Sequence, residues 1–300
     1  MALKKILLMM FAFAMCFFAG CRRDSGRDPG KMRIFCGLPP VAFIASQIAG
    51  DKAEVDSMLP EGRSPHDYAP RPSDVQKAGT AKFFFTTGMN FENSAVKSLP
   101  ETVNVVDVSK EIRRRRFDDG KGCCDGHGHD HHHHEEAALD PHVWLSPENA
   151  GKIAVAILDS LGAADPANRE YYQQNFDRFK SELEKIAADM KTQLSPFTGR
   201  EFLVYHPAFG YFADVAGLRQ HPLEINGREM TAVQLANVIA KAKKDNIKVV
   251  FVQKQFNPRL AGELARRIGG EALPLDPLAY DLLKNFRAMT EAVVRGFGGR

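Results

Sequence analysis

From residue 31 onward the chain alternates short apolar runs with stretches of helical spacing. Residues 32–36, 54–59, 82–87 and 103–107 are strand candidates. Between them, Val41 to Ala49, Pro72 to Ala78 and Phe91 to Leu99 carry apolar side chains at helical intervals or open with helix-start residues. Ser73-Asp74 behind Pro72, and Ser146-Pro147-Glu148, read as helix N-termini, where Ser caps and Pro fits the first turn. The second half repeats this grammar, with strands over 201–205, 219–223, 249–253 and 272–275. Helices are predicted over Thr231 to Asp245, Pro258 to Ile268 and Leu282 to Phe297. Such alternation predicts an α/β fold of two lobes, each a mainly parallel sheet with flanking helices.

Between the halves, Pro166 to Leu194 has no internal Gly or Pro and repeats Tyr172, Phe176, Phe179, Leu183, Ile186 and Met190 at spacings of three and four. At about 1.5 Å per residue this makes a helix roughly 40 Å long, enough to join two lobes. The predicted organisation is therefore an N-terminal lobe over 31–165, a connecting helix over 166–194 and a C-terminal lobe over 195–300.

The first residues set the compartment. Lys4 and Lys5 precede an apolar run from Ile6 to Phe18 and the small residues Ala19 and Gly20. This predicts a secretory signal over 1–20, too short for a spanning helix. Phe18-Ala19-Gly20-Cys21 resembles a bacterial lipobox, which implies lipidation of Cys21, a membrane anchor and a polar tether over 21–30. The plainer alternative is cleavage near Ala12-Phe13-Ala14 and a soluble product. Losing the signal removes two lysines from 40 basic side chains set against 37 acidic ones. A mature charge near zero argues against a nucleic-acid partner. The basic run Arg113 to Arg116 reads as a solvated loop edge. Cys36, in an apolar strand, reads as a small buried hydrophobe, and the remaining thiols form no disulfide framework.

Chemistry is densest between Cys123 and Glu136, which hold six of the ten histidines. Cys123, Cys124, His127, His129, His131, His132, His133 and His134 make an accessory, low-affinity metal-binding set. Its glycines and lack of apolar period predict a disordered loop over 118–138 and not a fixed site. Outside it stand His66, His142, His206 and His221. The first three sit at element ends beside Pro65, Pro141 and Pro207, and Asp276 precedes Pro277 in the same way. Ligands of open α/β sheets bind beyond the carboxyl ends of strands. Three imidazoles and a carboxylate make a four-coordinate set suited to zinc, closed in the manner of transport and not catalysis. No His-Glu-x-x-His pattern is present, so no enzyme is expected.

The stretches His66-Asp67-Tyr68-Ala69-Pro70-Arg71-Pro72-Ser73-Asp74, Asp140-Pro141-His142-Val143-Trp144-Leu145-Ser146-Pro147-Glu148-Asn149, His206-Pro207-Ala208-Phe209-Gly210-Tyr211-Phe212, Gln255-Phe256-Asn257-Pro258 and Leu275-Asp276-Pro277-Leu278 occur in order across the chain. Together they resemble the metal-binding solute receptors of bacterial ABC transporters, the zinc-uptake and adhesin-type metal-binding lipoproteins. The resemblance implies metal held between two lobes by His66, His142, His206 and Asp276. Pro65 stands where some zinc members carry an acidic residue, which leaves Asp276 to complete the set. Manganese members usually carry a carboxylate at the position of His206, so a third imidazole favours Zn2+ over Mn2+. The implied protein is a monomeric, extracytoplasmic zinc receptor that hands its ion to an ABC permease. A manganese receptor of the same family and a metal-binding surface adhesin are the alternatives. Asp140 is a candidate proton acceptor for a ligand imidazole, Asp67, Tyr68 and Glu224 are candidates for the rim, and His221 reads as a strand histidine.

Overall fold

The structure is a computed structural model that describes residues 31–117, 139–225, 228–255 and 258–298. The signal segment, Cys21 and the His-rich stretch 118–138 lie outside the described residues, as do Phe256 and Asn257.

Apolar runs become strands where the sequence predicts them. β1 (Met32–Cys36), β2 (Ala53–Ser57), β3 (Phe83–Thr86) and β4 (Asn104–Asp107) form a parallel sheet in the order β2-β1-β3-β4. β5 (Glu201–Val204), β6 (Arg219–Pro222), β9 (Val249–Val252) and β10 (Glu271–Pro274) form a second, ordered β10-β9-β5-β6. Read from the first strand of each, the two orders are the same. Pro222 and Pro274 lie on outer strands, where a missing N–H breaks no ladder. A short antiparallel pair, β7 (Glu224–Ile225) and β8 (Arg228–Glu229), follows β6 and was not expected from the pattern.

The helices are α1 (Pro39–Ala49), α2 (Pro72–Ala78), α3 (Asn90–Val96), α4 (Pro147–Ala164), α5 (Arg169–Leu194), α6 (Gly210–Asp214), α7 (Ala232–Lys244), α8 (Pro258–Ile268) and α9 (Leu282–Gly296). α1 begins two residues before the predicted apolar stretch, because Pro39 and Pro40 occupy its first turn. Ser146 caps α4 by accepting from the Asn149 N–H at 3.4 Å. The long segment is not one helix from its first residue. Pro166–Asn168 makes a 3-10 turn, braced by Asp165, whose Oδ2 accepts from Tyr172 Oη at 2.8 Å and Asn168 Nδ2 at 2.7 Å.

α5 packs against α1 and α4 from the first half and α9 from the second. Tyr172, Phe179, Leu183, Ile186 and Met190 are buried as the spacing predicts, and Phe176 is half-buried. Buried Asn175 donates to the Ile48 carbonyl at 2.9 Å, satisfying the open end of α1. One apolar cluster runs through both halves, from Ile34 to Phe297. A smaller one covers the other face of the second sheet, so Phe202 and Val204 face one core and Leu203 the other. Met32 to Arg300 thus forms one compact unit. Among the described residues no helix is long and apolar enough to cross a membrane. Cys36 is buried and free, and burial pushes its thiol well above the usual range.

Candidate metal centre

His206 follows β5 and His142 lies four residues before the cap of α4, while His66 stands in the loop between β2 and α2. Together they form a group whose ligand atoms all lie within 4.8 Å of one another. His142 and His206 are buried and His66 is exposed. The Nε2 atoms of His66 and His142 are 3.3 Å apart, and those of His142 and His206 are 3.2 Å apart. A tetrahedral zinc with Zn–N bonds of about 2.0–2.1 Å holds its ligand atoms roughly 3.3 Å apart. Both distances match that spacing.

The far side of each buried ring explains why Nε2 is the atom presented. His142 Nδ1 donates to Asp140 Oδ1 at 2.8 Å, and the same oxygen accepts the His142 backbone N–H at 2.9 Å. His206 Nδ1 donates to Glu224 Oε1 at 2.6 Å. With each Nδ1 proton held by a carboxylate, both rings turn Nε2 inward as the atom available to a metal. Two lone pairs at 3.2 Å repel unless a cation lies between them. His66 is exposed as a residue, yet desolvation of its ring within the group, followed by the neighbouring imidazoles, draws it from 6.5 down to about 3. Burial also lowers His142, against the opposing pull of Asp140. These rings are therefore unprotonated, the form that binds metal, across the neutral range.

The backbone around them is fixed. Gln253, just beyond β9, donates from Nε2 to the His206 carbonyl at 2.5 Å and accepts the His206 N–H at 3.3 Å. Trp144 Nε1 donates to the Pro277 carbonyl at 2.7 Å, joining the His142 loop to the Asp276 loop. Phe117 lies over His142 and His206, each with ring centroids 6.0 Å away. Pro65, Pro277 and Leu278 line a small cavity with the three imidazoles.

Asp276 is not in the group. Its carboxylate meets Lys254 Nζ at 3.0 Å and accepts the Leu278 N–H at 3.0 Å. Asp140 stands where adjacency suggested. Glu224, expected only at the rim, holds the His206 imidazole directly. His206 and Glu224 follow the adjacent strands β5 and β6, an adjacency that only the strand order reveals. Tyr68 is buried and donates to Asp74 Oδ2 at 2.8 Å, supporting the start of α2, while Asp67 is exposed. His221 is a strand histidine, its Nε2 2.6 Å from Glu201.

The basic run is not a solvated edge throughout. Arg114 donates to the Thr87 carbonyl at 2.6 Å, and Arg115 reaches Asp214 at 3.0 Å and Asp140 at 3.4 Å. Gly210 leaves room for this, since a Cβ there would fall 1.7 Å from Arg115 Nη1 and 2.9 Å from Asp140 Oδ2. Arg116 and Leu139 pair as an isolated antiparallel bridge, which places both ends of the His-rich stretch beside Asp140.

Comparison with known proteins agrees with this geometry. Residues 34–296 match the family described as zinc-uptake complex component A, periplasmic (ZnuA). The high-affinity zinc uptake system protein ZnuA of Bacillus subtilis (strain 168) is 32% identical over 284 residues, covering 90% of this chain and 88% of its own length. The zinc-binding lipoprotein AdcA of Streptococcus pneumoniae (strain ATCC BAA-255 / R6) is 30% identical over 284 residues, which span 92% of this chain but 56% of the relative. A crystal structure of ZnuA superposes with a TM-score of 0.80 at 29% identity, covering 89% of this chain and 99% of that one. The chain belongs to the zinc-uptake complex component A family.

Proposed function

We propose that this protein captures Zn2+ outside the cytoplasm and delivers it to the permease of an ABC importer. The observation that carries the reading is the set of three imidazoles whose ligand atoms converge within 4.8 Å, two of them braced by Asp140 and Glu224. His66, His142 and His206 hold the ion as cargo. The related proteins named for zinc uptake and zinc binding support the choice of ion. So does the donor set, because a site of imidazoles without a carboxylate in the group suits zinc better than manganese. The family is one of solute receptors and not of enzymes.

The family description as periplasmic supports an extracytoplasmic location. Lipidation of Cys21 would hold the receptor at the membrane, a reading supported by the lipobox-like segment and by a relative named a lipoprotein. The stretch bearing Cys123, Cys124 and the histidines from His127 to His134 serves as a low-affinity accessory that gathers zinc near the site. The flanking residues Arg116 and Leu139 pair next to Asp140, which supports delivery at short range.

The test is zinc binding by the metal-stripped full chain, in competition with a chelator tight enough to exclude weak sites. One ion per chain should be held by the parent and lost in His142→Ala and His206→Ala. Retention of the tight ion by either variant would refute the site. Loss of growth in zinc-poor medium in cells carrying His206→Ala would connect the site to uptake.

A further inference from the structure

We propose that Gln255 supplies the oxygen donor at the fourth position of the bound zinc, in place of Asp276. The inference rests on the three-imidazole reading and deepens it. Gln255 follows β9 and lines the small cavity with His66, His142 and His206. Its Oε1 is buried and has no hydrogen-bond partner, the one side-chain atom in that condition among the described residues. Buried acceptors are almost always paired, so an unpaired one on a residue that lines the same cavity as three convergent imidazoles calls for a partner. A cation at the centre of the group provides it.

Asp276 is committed elsewhere. Its carboxylate meets the Lys254 ammonium at 3.0 Å through one oxygen and accepts the Leu278 N–H at 3.0 Å through the other, and it lies outside the group of converging ligand atoms. Charge-assisted bonds of this kind are the stronger ones. Among the residues lining this cavity, Gln255 offers a buried side-chain oxygen with no other partner, which makes it the donor available to the fourth position. Gln255 and Leu278 also border a wider cleft of about 480 Å³ that contains Asp276 and Lys254. Gln255 thus borders both the small cavity and the wider cleft. A neutral amide oxygen binds zinc less firmly than a carboxylate and takes up no proton in the physiological range. A receptor that must release its cargo gains from that choice.

The experiment titrates zinc against a competing chelator in the metal-stripped full chain, with thermal melting as the control for folding. Co2+ absorption reports the coordination number independently. Gln255→Leu should weaken zinc by about tenfold or more, with an unchanged melting temperature, while Asp276→Asn stays within about threefold of the parent. Gln255→Glu should bind zinc more tightly, with a new loss of affinity in acid as the carboxylate protonates. Zinc affinity in Gln255→Leu within about threefold of the parent overturns the assignment. If that variant does not fold, Gln255→Glu decides, and an affinity unchanged from the parent overturns it equally. His142→Ala is run alongside: if it too keeps zinc, the three-imidazole site has failed and not the role of Gln255.

Discussion

The two sheets share one topology and use the same place in it for different ends. In each, the first strand lies inside, the second on one flank and the third on the other, so a crevice opens beyond the first and third strands. In the first sheet that crevice is closed by Glu92, which is fully buried and accepts the N–H groups of Thr87 at 2.8 Å and Met89 at 2.9 Å. It presses so close to the turn after β1 that a Cβ on Gly37 would fall 1.7 Å from its Oε1. In the second sheet, fully buried Gln253 likewise ties down backbone, but the residue it ties down is His206. One crevice anchors the fold and the other presents a ligand. Topology supplies the place, and the side chain that follows the strand decides its use.

The largest expected effect breaks the structural side of the pair. Glu92→Ala leaves two buried N–H groups without acceptors, a cost of roughly 2–5 kcal/mol. For a domain of this size each kcal/mol lowers the melting temperature by about 2–4 °C. Zinc affinity of the folded chain should stay within about threefold of the parent, because Glu92 touches no imidazole. A tenfold loss would show that the first crevice serves the metal as well.

Glu92 also makes stability depend on pH. Burial, against the pull of the Thr87 and Met89 N–H groups, raises its carboxyl from 4.5 to about 7. Between those values the folded chain keeps a proton that the unfolded chain has released. Its contribution is therefore full below the unfolded value and is lost as pH rises through the folded one. The loss across that window is about 3 kcal/mol. Urea unfolding of the metal-free protein at pH 5 and pH 8 should show this fall, and Glu92→Gln should remove most of it. An identical pH profile in the variant would assign the slope to other groups.

The functional side is sharpened by Glu224→Gln. The amide still accepts the His206 Nδ1 proton but no longer offsets the charge of the bound ion. Zinc affinity should drop by about tenfold while the melting temperature of the metal-free protein barely moves. Chelator competition and a melt on the same sample check both halves of the statement.

Much of this was legible in the sequence, for identifiable reasons. Strands such as Phe83–Thr86 and Val249–Val252 are buried throughout and read as unbroken apolar runs. The three histidines stood out because each lies at an element end beside a proline. What stayed hidden depends on strand order or on contacts far along the chain. Glu224 braces His206 only because β6 lies beside β5, and Lys254 takes up Asp276 only because two loops meet. The five-residue α6 and the β7–β8 pair are too short to show a period. Arg114 and Arg115 looked solvated because their acceptors, Thr87, Asp140 and Asp214, are distant in sequence.

The smallest expected effect tests how far the ligand-presenting region extends beyond its crevice. Tyr211, in α6 just after the His206 loop, accepts the Arg115 N–H at 3.1 Å and donates to the Asp140 carbonyl at 3.0 Å. It therefore ties the second half of the chain to the backbone that carries the brace of His142. Tyr211→Phe keeps the ring and removes both bonds, which should cost about 1–2 kcal/mol of stability. The Asp140 carboxylate has its own hold on His142, through the ring and the backbone N–H, so the imidazole should stay aimed. Zinc affinity should then change by less than about threefold, well short of the loss expected for Glu224→Gln. A tenfold loss in Tyr211→Phe would mean that His142 is held by the whole backbone segment and not by the Asp140 carboxylate alone.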